Sequence, residues 1–208
     1  MPPVPRTLPR RPPARLLLWA ALAVAAAAAP VAHHAAAAPL EDYRVTTVKI
    51  GGPFTLIDQA GERTSLRDFR GKAVVLAFGF THCPDICPAT VNTMSTLLRR
   101  LGPRADRVRM VFVSVDPERD TPARLKAYLG YFHPDVVGLT GPLGAVRQVA
   151  RLYKAPFRKL AADGAGGYQV GHVSFYYLID TAGQVVYLMP HSTGIDTLLD
   201  GIAALLKE

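Results

Sequence analysis

The chain has two cysteines, Cys83 and Cys87, and both stand in the run Thr81-His82-Cys83-Pro84-Asp85-Ile86-Cys87-Pro88. Two thiols four residues apart can present a pair of soft sulfur ligands to an ion such as copper(I). Oxidised, the same two sulfurs can close a disulfide. The spacing disfavours two familiar alternatives. Structural zinc sites want four ligands in closed geometry, and two cysteines with scattered histidines do not supply them. Dithiol oxidoreductases generally use Cys-x-x-Cys, whereas three residues intervene here.

A third ligand would widen the site from copper(I) to copper(II), and four histidines lie outside the N-terminal leader: His82, His133, His172 and His191. His82 adjoins Cys83, and consecutive side chains diverge. His133 precedes Pro134 at a helix end and reads as a cap or surface group, and His191 follows Pro190 beyond a strand. His172 comes after a glycine-rich stretch, Gly164 to Gly167, that can fold back over the cysteines. Spacing alone does not separate a ligand role for His172 from that of a structural histidine. The loop Asp116-Pro117-Glu118-Arg119-Asp120-Thr121-Pro122 closes a strand; Glu118 and Arg119 read as surface charge, Arg119 paired to an acid, and Asp116 is expected beside the cysteine loop.

The elements that position these groups follow from the apolar pattern. Thr46 to Thr55, interrupted by Gly51-Gly52-Pro53, reads as strand, turn and strand, and Thr64 to Phe69 as one helical turn. Ala73 to Phe80 is a continuous apolar run, the signature of a strand buried on both faces. The cysteine loop leaves its C-terminal end, where open α/β sheets place their sites. Ala89 to Leu101 carries apolar residues at 91, 94, 97, 98 and 101, a helical period, and Gly102-Pro103 stops it. Pro88 fits the first turn of that helix, so Cys87 lies near a helix N-terminus, whose dipole favours thiolate.

Val108 to Val115 is a second buried strand. Pro122 to Phe132 is a helix capped by Thr121 or Asp120. Val136 to Leu139 is a short strand and Pro142 to Tyr153 a helix. His172 to Ile179 and Gln184 to Met189 form a hairpin about Asp180-Thr181-Ala182-Gly183, and Ile195 to Leu206 is a closing amphipathic helix. This order describes an α/β layer fold of thioredoxin type.

Residues 1–38 differ from the rest. Arg6, Arg10, Arg11 and Arg15 precede an apolar run from Leu16 to Ala29, and alanines at 35 to 38 offer cleavage sites, the layout of an export signal peptide. Taken on to Ala32, the apolar stretch is at the short limit for a membrane anchor, and its alanine content favours cleavage over anchoring. With no cysteine in the leader a lipoprotein is excluded, and Pro12-Pro13 spoil the twin-arginine match of Arg10-Arg11. Arginine-rich, acid-free leaders also serve as organelle transit peptides. The net charge of +8 is half leader: without its four arginines, 20 basic residues face 16 acidic ones. The remainder, 39–208, is a mildly basic domain with no lysine/arginine block of the kind that binds nucleic acid.

Several blocks in order resemble the Sco/SenC family of copper chaperones for cytochrome c oxidase assembly. They are Gly52-Pro53-Phe54, Gly71-Lys72, Phe78-Gly79-Phe80-Thr81-His82-Cys83-Pro84-Asp85-Ile86-Cys87-Pro88 and Ser114-Val115-Asp116-Pro117-Glu118-Arg119-Asp120-Thr121-Pro122. Phe132-His133-Pro134, Gly138-Leu139-Thr140-Gly141 and His172 before Tyr177-Leu178-Ile179-Asp180 complete the set. The resemblance implies a thioredoxin-like fold with an inserted β-hairpin. It implies copper, as Cu(I) or Cu(II), held by Cys83, Cys87 and His172, with Asp116 supporting the site from behind. It also implies delivery to the binuclear copper site of cytochrome c oxidase subunit II, an upstream copper donor and a thiol reductant that keeps the Cys83–Cys87 pair from remaining a disulfide. A bacterial reading places the protein in the periplasm or on the outer face of the inner membrane, with membrane association through the N-terminal segment. Where the family commonly has an acidic residue before the histidine, this chain has Gly171. The alternative for the same thiols is a thiol-disulfide reductase that keeps the cysteines of the copper target reduced. A peroxidase of peroxiredoxin type fits poorly, because prolines flank the close cysteine pair.

Overall fold

The computed structural model describes residues 38–161 and 167–206. The leader and most of the Gly164 to Gly167 stretch lie outside the described residues. Among those described, no helix is long and apolar enough to cross a membrane.

The sheet grows from its two most apolar runs. Strand β3, Ala73–Gly79, is buried at every position, and β4, Val108–Ser114, at all but one. They pair in parallel from Ala73↔Val108 to Gly79↔Ser114. The other strands are β1 (Thr55–Asp58), β2 (Arg63–Ser65), β5 (Val136–Thr140), β8 (Phe175–Ile179) and β9 (Val185–Pro190), giving seven in the order β2-β1-β5-β4-β3-β8-β9. β4 and β5 are parallel, whereas β1–β5, β3–β8 and β8–β9 are antiparallel. Helices α1 (Ile86–Leu101), α2 (Pro122–Leu129), α3 (Leu143–Leu152) and α4 (Ile195–Leu206) connect and flank the sheet. The expected α/β thioredoxin-like architecture is what the chain adopts. Tyr153, Phe78 and Tyr177 meet edge to face at its centre, with ring centroids 5.5–6.0 Å apart.

Three expectations are corrected. Thr46 to Ile50 forms no strand: Val45 donates to the Val186 carbonyl, and Gly51 and Gly52 then turn the chain with φ of +89° and +149° before β1 begins at Thr55. Helix α1 begins at Ile86 rather than Ala89, which puts Cys87 inside its first turn. His172 does not open the β8–β9 hairpin. It ends β7, Val170–His172, which pairs antiparallel with β6, Phe157–Lys159, in a separate two-stranded sheet. This is the inserted hairpin, lying between α3 and β8.

One glycine fits strand to site. A Cβ on Gly79 would stand 2.5 Å from the Phe112 ring and 3.0 Å from the Cys87 sulfur. Gly79→Ala is therefore expected to cost about 1–3 kcal/mol through overpacking. Urea denaturation checks this: the midpoint should fall at unchanged slope, and an unchanged midpoint would contradict the close packing.

Candidate metal centre

Beyond β3 the chain turns at once, the Cys83 amide donating to the Phe80 carbonyl at 3.3 Å. Asp85 precedes α1, and Pro88 occupies its third position, where a missing N–H leaves no helical bond unmade. Cys87 points inward and is 1% exposed, its sulfur accepting the Phe80 N–H at 3.5 Å. Cys83 is half-buried, and both cysteines are free thiols.

The helix start was expected to favour thiolate at Cys87, but its thiol is pushed up instead. Burial is the main cause, outweighing the Phe80 N–H that favours the anion; the adjoining Cys83 thiol and the nearby Asp120 carboxylate push in the same direction as burial. Removal of sulfur from water thus outweighs the end-of-helix dipole. In the absence of metal Cys87 is a protonated thiol at neutral pH.

His172 arrives from β7. Its Nδ1 lies 2.8 Å from the Val173 carbonyl, so this nitrogen carries the proton and donates it. Nε2 is left with its lone pair and lies 3.7 Å from the Cys87 sulfur. The ring meets Phe80 edge to face at 5.9 Å. Burial lowers the imidazole's pKa more than the Val173 carbonyl raises it, so the ring is neutral at neutral pH. Where the family's acidic residue would stand, a Cβ on Gly171 would meet the Leu160 side chain at 3.3 Å. The orienting partner of the imidazole is therefore a backbone carbonyl.

The fold sets the Cys87 sulfur against both the Cys83 thiol and Nε2 of His172. Two sulfurs and one neutral imidazole nitrogen form a donor set suited to a soft or borderline ion. His191 is exposed, and His133 is held at the α2–β5 connection by its amide bond to Ser95 Oγ and by Asp135, so neither joins the site.

The Asp116 to Asp120 turn holds more of the site than its sequence suggested. Thr121 caps α2, accepting the Arg124 amide at 3.2 Å, so Asp120 is not the cap. Asp120, wholly buried, accepts the Thr81 amide at 2.9 Å, the Thr81 hydroxyl at 2.7 Å and the Ser114 hydroxyl at 2.6 Å. Asp116 was expected beside the cysteine loop and is near it, but its hydrogen bonds go elsewhere. It accepts from Tyr168 Oη at 2.7 Å and pairs with Arg119. Glu118 pairs at the surface with Lys159. Ligand atoms of His82, Asp116 and Asp120 approach within 4.8 Å of one another. Every carboxylate oxygen there already accepts from a protein donor, so the cluster is a hydrogen-bond network and not a vacant cation site. In the sequence Asp120 reads only as a polar residue ahead of a helix, and its role at Thr81 depends on β4 lying beside β3.

The SCO1/SenC family model matches residues 44–207. An SCO2-like protein of Rickettsia conorii is 41% identical over 138 residues, 66% of this chain and 67% of the relative. The structure of Bradyrhizobium japonicum ScoI with copper bound superposes with a TM-score of 0.70 at 36% identity, covering 75% of this chain and 99% of that one. BsSco, a member of the Sco family of cytochrome c oxidase assembly proteins in which a disulfide switch was identified, superposes with a TM-score of 0.64 at 26% identity, covering 79% and 98%. With a match that runs from Arg44 through the whole of α4, the chain belongs to the SCO1/SenC family.

Proposed function

We propose that this protein is a copper metallochaperone that takes copper as cargo on Cys83, Cys87 and His172 and delivers it to the binuclear copper site of cytochrome c oxidase subunit II. One observation carries the reading: a neutral imidazole with its free nitrogen 3.7 Å from a buried thiol, beside a second thiol that is only half-buried. The copper-bound Bradyrhizobium relative and the oxidase-assembly role of BsSco's family support it. The arginine-rich leader fits an exported protein acting in the periplasm, in line with a thiol pair that needs a reductant there.

Transfer follows from unequal burial. An incoming thiol of the target reaches copper from the Cys83 side and displaces that sulfur first, then Cys87. Each displaced cysteine can take up the proton that the incoming thiol releases, so the exchange needs no net acid or base. Holding metal between loops at a sheet end leaves that path open.

The same thiols support a second reading, favoured by the contact between Cys83 and Cys87. As a reductase the pair would pass two electrons and two protons to a disulfide of the target and become a disulfide. His172 has no part in that exchange. His172→Ala is therefore expected to abolish the copper(II) complex and its thiolate charge-transfer band while disulfide reduction continues. Absorption and electron paramagnetic resonance of the reduced protein with one equivalent of copper make the comparison. An unchanged copper(II) spectrum in the variant would remove His172 from the ligand set, and a wild type that only oxidises and keeps no copper would favour the reductase.

Because burial keeps Cys87 protonated, copper(I) must displace its proton. Copper(I) affinity should rise with pH, by about tenfold per unit for this thiol alone, throughout the range below its raised pKa. Competition with a copper(I) chelator at pH 6, 7 and 8 reads the slope; a flat profile would contradict coordination by Cys87. In the metal-free protein a water-soluble alkylating agent should label half-buried Cys83 at least tenfold faster than Cys87, on the order expected for a fully buried thiol. Equal labelling in a mass-spectrometric time course would contradict the difference in burial that the transfer order uses.

A further inference from the structure

The histidine and the cysteines sit on separate pieces of structure. Cys83 and Cys87 follow β3 in the seven-stranded sheet, whereas His172 ends a two-stranded sheet that has no ladder to the larger one. Val173 and Ser174 tie His172 to β8 and so to β3, and the approach of Nε2 to the sulfur is left to the contacts around the smaller sheet.

The turn from Asp116 to Asp120 reaches both pieces. It is rigid, since the Asp120 amide donates to the Asp116 carbonyl at 2.9 Å and the Asp116 amide to Ser114 Oγ at 3.1 Å. It is also fixed to the end of β3, the Val115 amide donating to the Gly79 carbonyl at 2.8 Å. On one side Asp120 accepts from both the amide and the hydroxyl of Thr81, two residues before Cys83. On the other side Asp116 accepts from Tyr168, four residues before His172. Arg119 completes the second contact: it pairs with Asp116, and its guanidinium lies 3.6 Å over the Tyr168 ring. Lys159 of β6 lies 4.5 Å from the same ring and pairs with Glu118 of the turn.

We infer that Tyr168 is a positioning residue for His172. Its bond to Asp116, braced by Arg119, sets the distance between the imidazole and the thiols and so the preference of the site for copper(II) over copper(I). The inference rests on Cys83, Cys87 and His172 as the copper ligands. Copper(I) is satisfied by thiolates, whereas copper(II) draws on the imidazole. Loosening the β6–β7 sheet should therefore weaken the oxidised ion selectively.

Tyr168→Phe tests this in the full-length protein, because it deletes the hydroxyl and leaves the ring beneath Arg119. In the reduced, metal-free protein, amide hydrogen exchange in β6 and β7 should quicken at least fivefold while β3 and β4 stay protected, which also shows that the variant folds. Copper(II) affinity, read by competition with a chelator, should fall at least tenfold and the thiolate charge-transfer band should shift. Copper(I) affinity should change less than threefold. Unchanged exchange in β6 and β7 overturns the positioning role whatever copper does. Equal loss of both oxidation states, or of neither, overturns the selectivity. Copper uptake by neither the wild type nor the variant sinks the metallochaperone reading itself, while exchange still decides whether Tyr168 holds the hairpin.

Discussion

A carboxylate taken out of water must be matched donor for donor, and at Asp120 that requirement organises the site. Its side chain is fully buried, and Thr81 supplies two donors and Ser114 a third. Removing any one leaves an anion short of a partner in a low-dielectric interior, a cost of about 1–3 kcal/mol or more. The backbone at Thr81 is thereby pinned, and Cys83 follows two residues later. Arg124 bonds the Thr81 hydroxyl at 3.0 Å, tying the start of α2 to the same point. The cysteine loop is short of regular structure but is not loose.

Burial also decides the protonation state of the proposed ligands. The first turn of α1 offers Cys87 a field that favours thiolate, yet desolvation moves the thiol the other way. For His172 the same desolvation favours the neutral base, which is the ligating form. Metal-free, Cys87 and His172 are thus both uncharged. Bound metal would reverse the balance at sulfur, because a cation replaces the proton.

The sequence made the central architecture legible where burial dictates composition. Ala73 to Phe80 and Val108 to Val115 are apolar runs too uniform for a surface element, and both are parallel core strands. The span of α4, Ile195 to Leu206, matches its amphipathic period, because its apolar face, Leu198, Ile202 and Leu205, is the face that is buried. The β6–β7 pair escaped notice for the opposite reason. Three-residue strands such as Phe157-Arg158-Lys159 are too short to show alternation, and their pairing is set by distant chain. His172 was consequently joined to β8, although Val173 and Ser174 separate the two strands. Asp120 was legible as a polar residue ahead of a helix, a pattern for which capping is the commoner explanation. Its burial depends on β4 lying beside β3, which no local pattern reveals.

That neighbour relation explains why three distant segments converge. β3 and β4 are parallel and in register at Gly79↔Ser114, so the loops that follow them leave the same end of the sheet side by side. One loop carries the cysteines and the other the two aspartates. β8 runs antiparallel to β3, with Ala77 opposite Tyr176 near the start of β8. The chain entering β8 must therefore approach at the end where β3 finishes, and that chain is the segment from Tyr168 to His172. One parallel and one antiparallel neighbour of β3 thus bring thiols, carboxylates and imidazole to one place. The topology supplies proximity to within a loop's length. The hydrogen bonds of Asp116 and Asp120 reduce that to the 3.7 Å between nitrogen and sulfur.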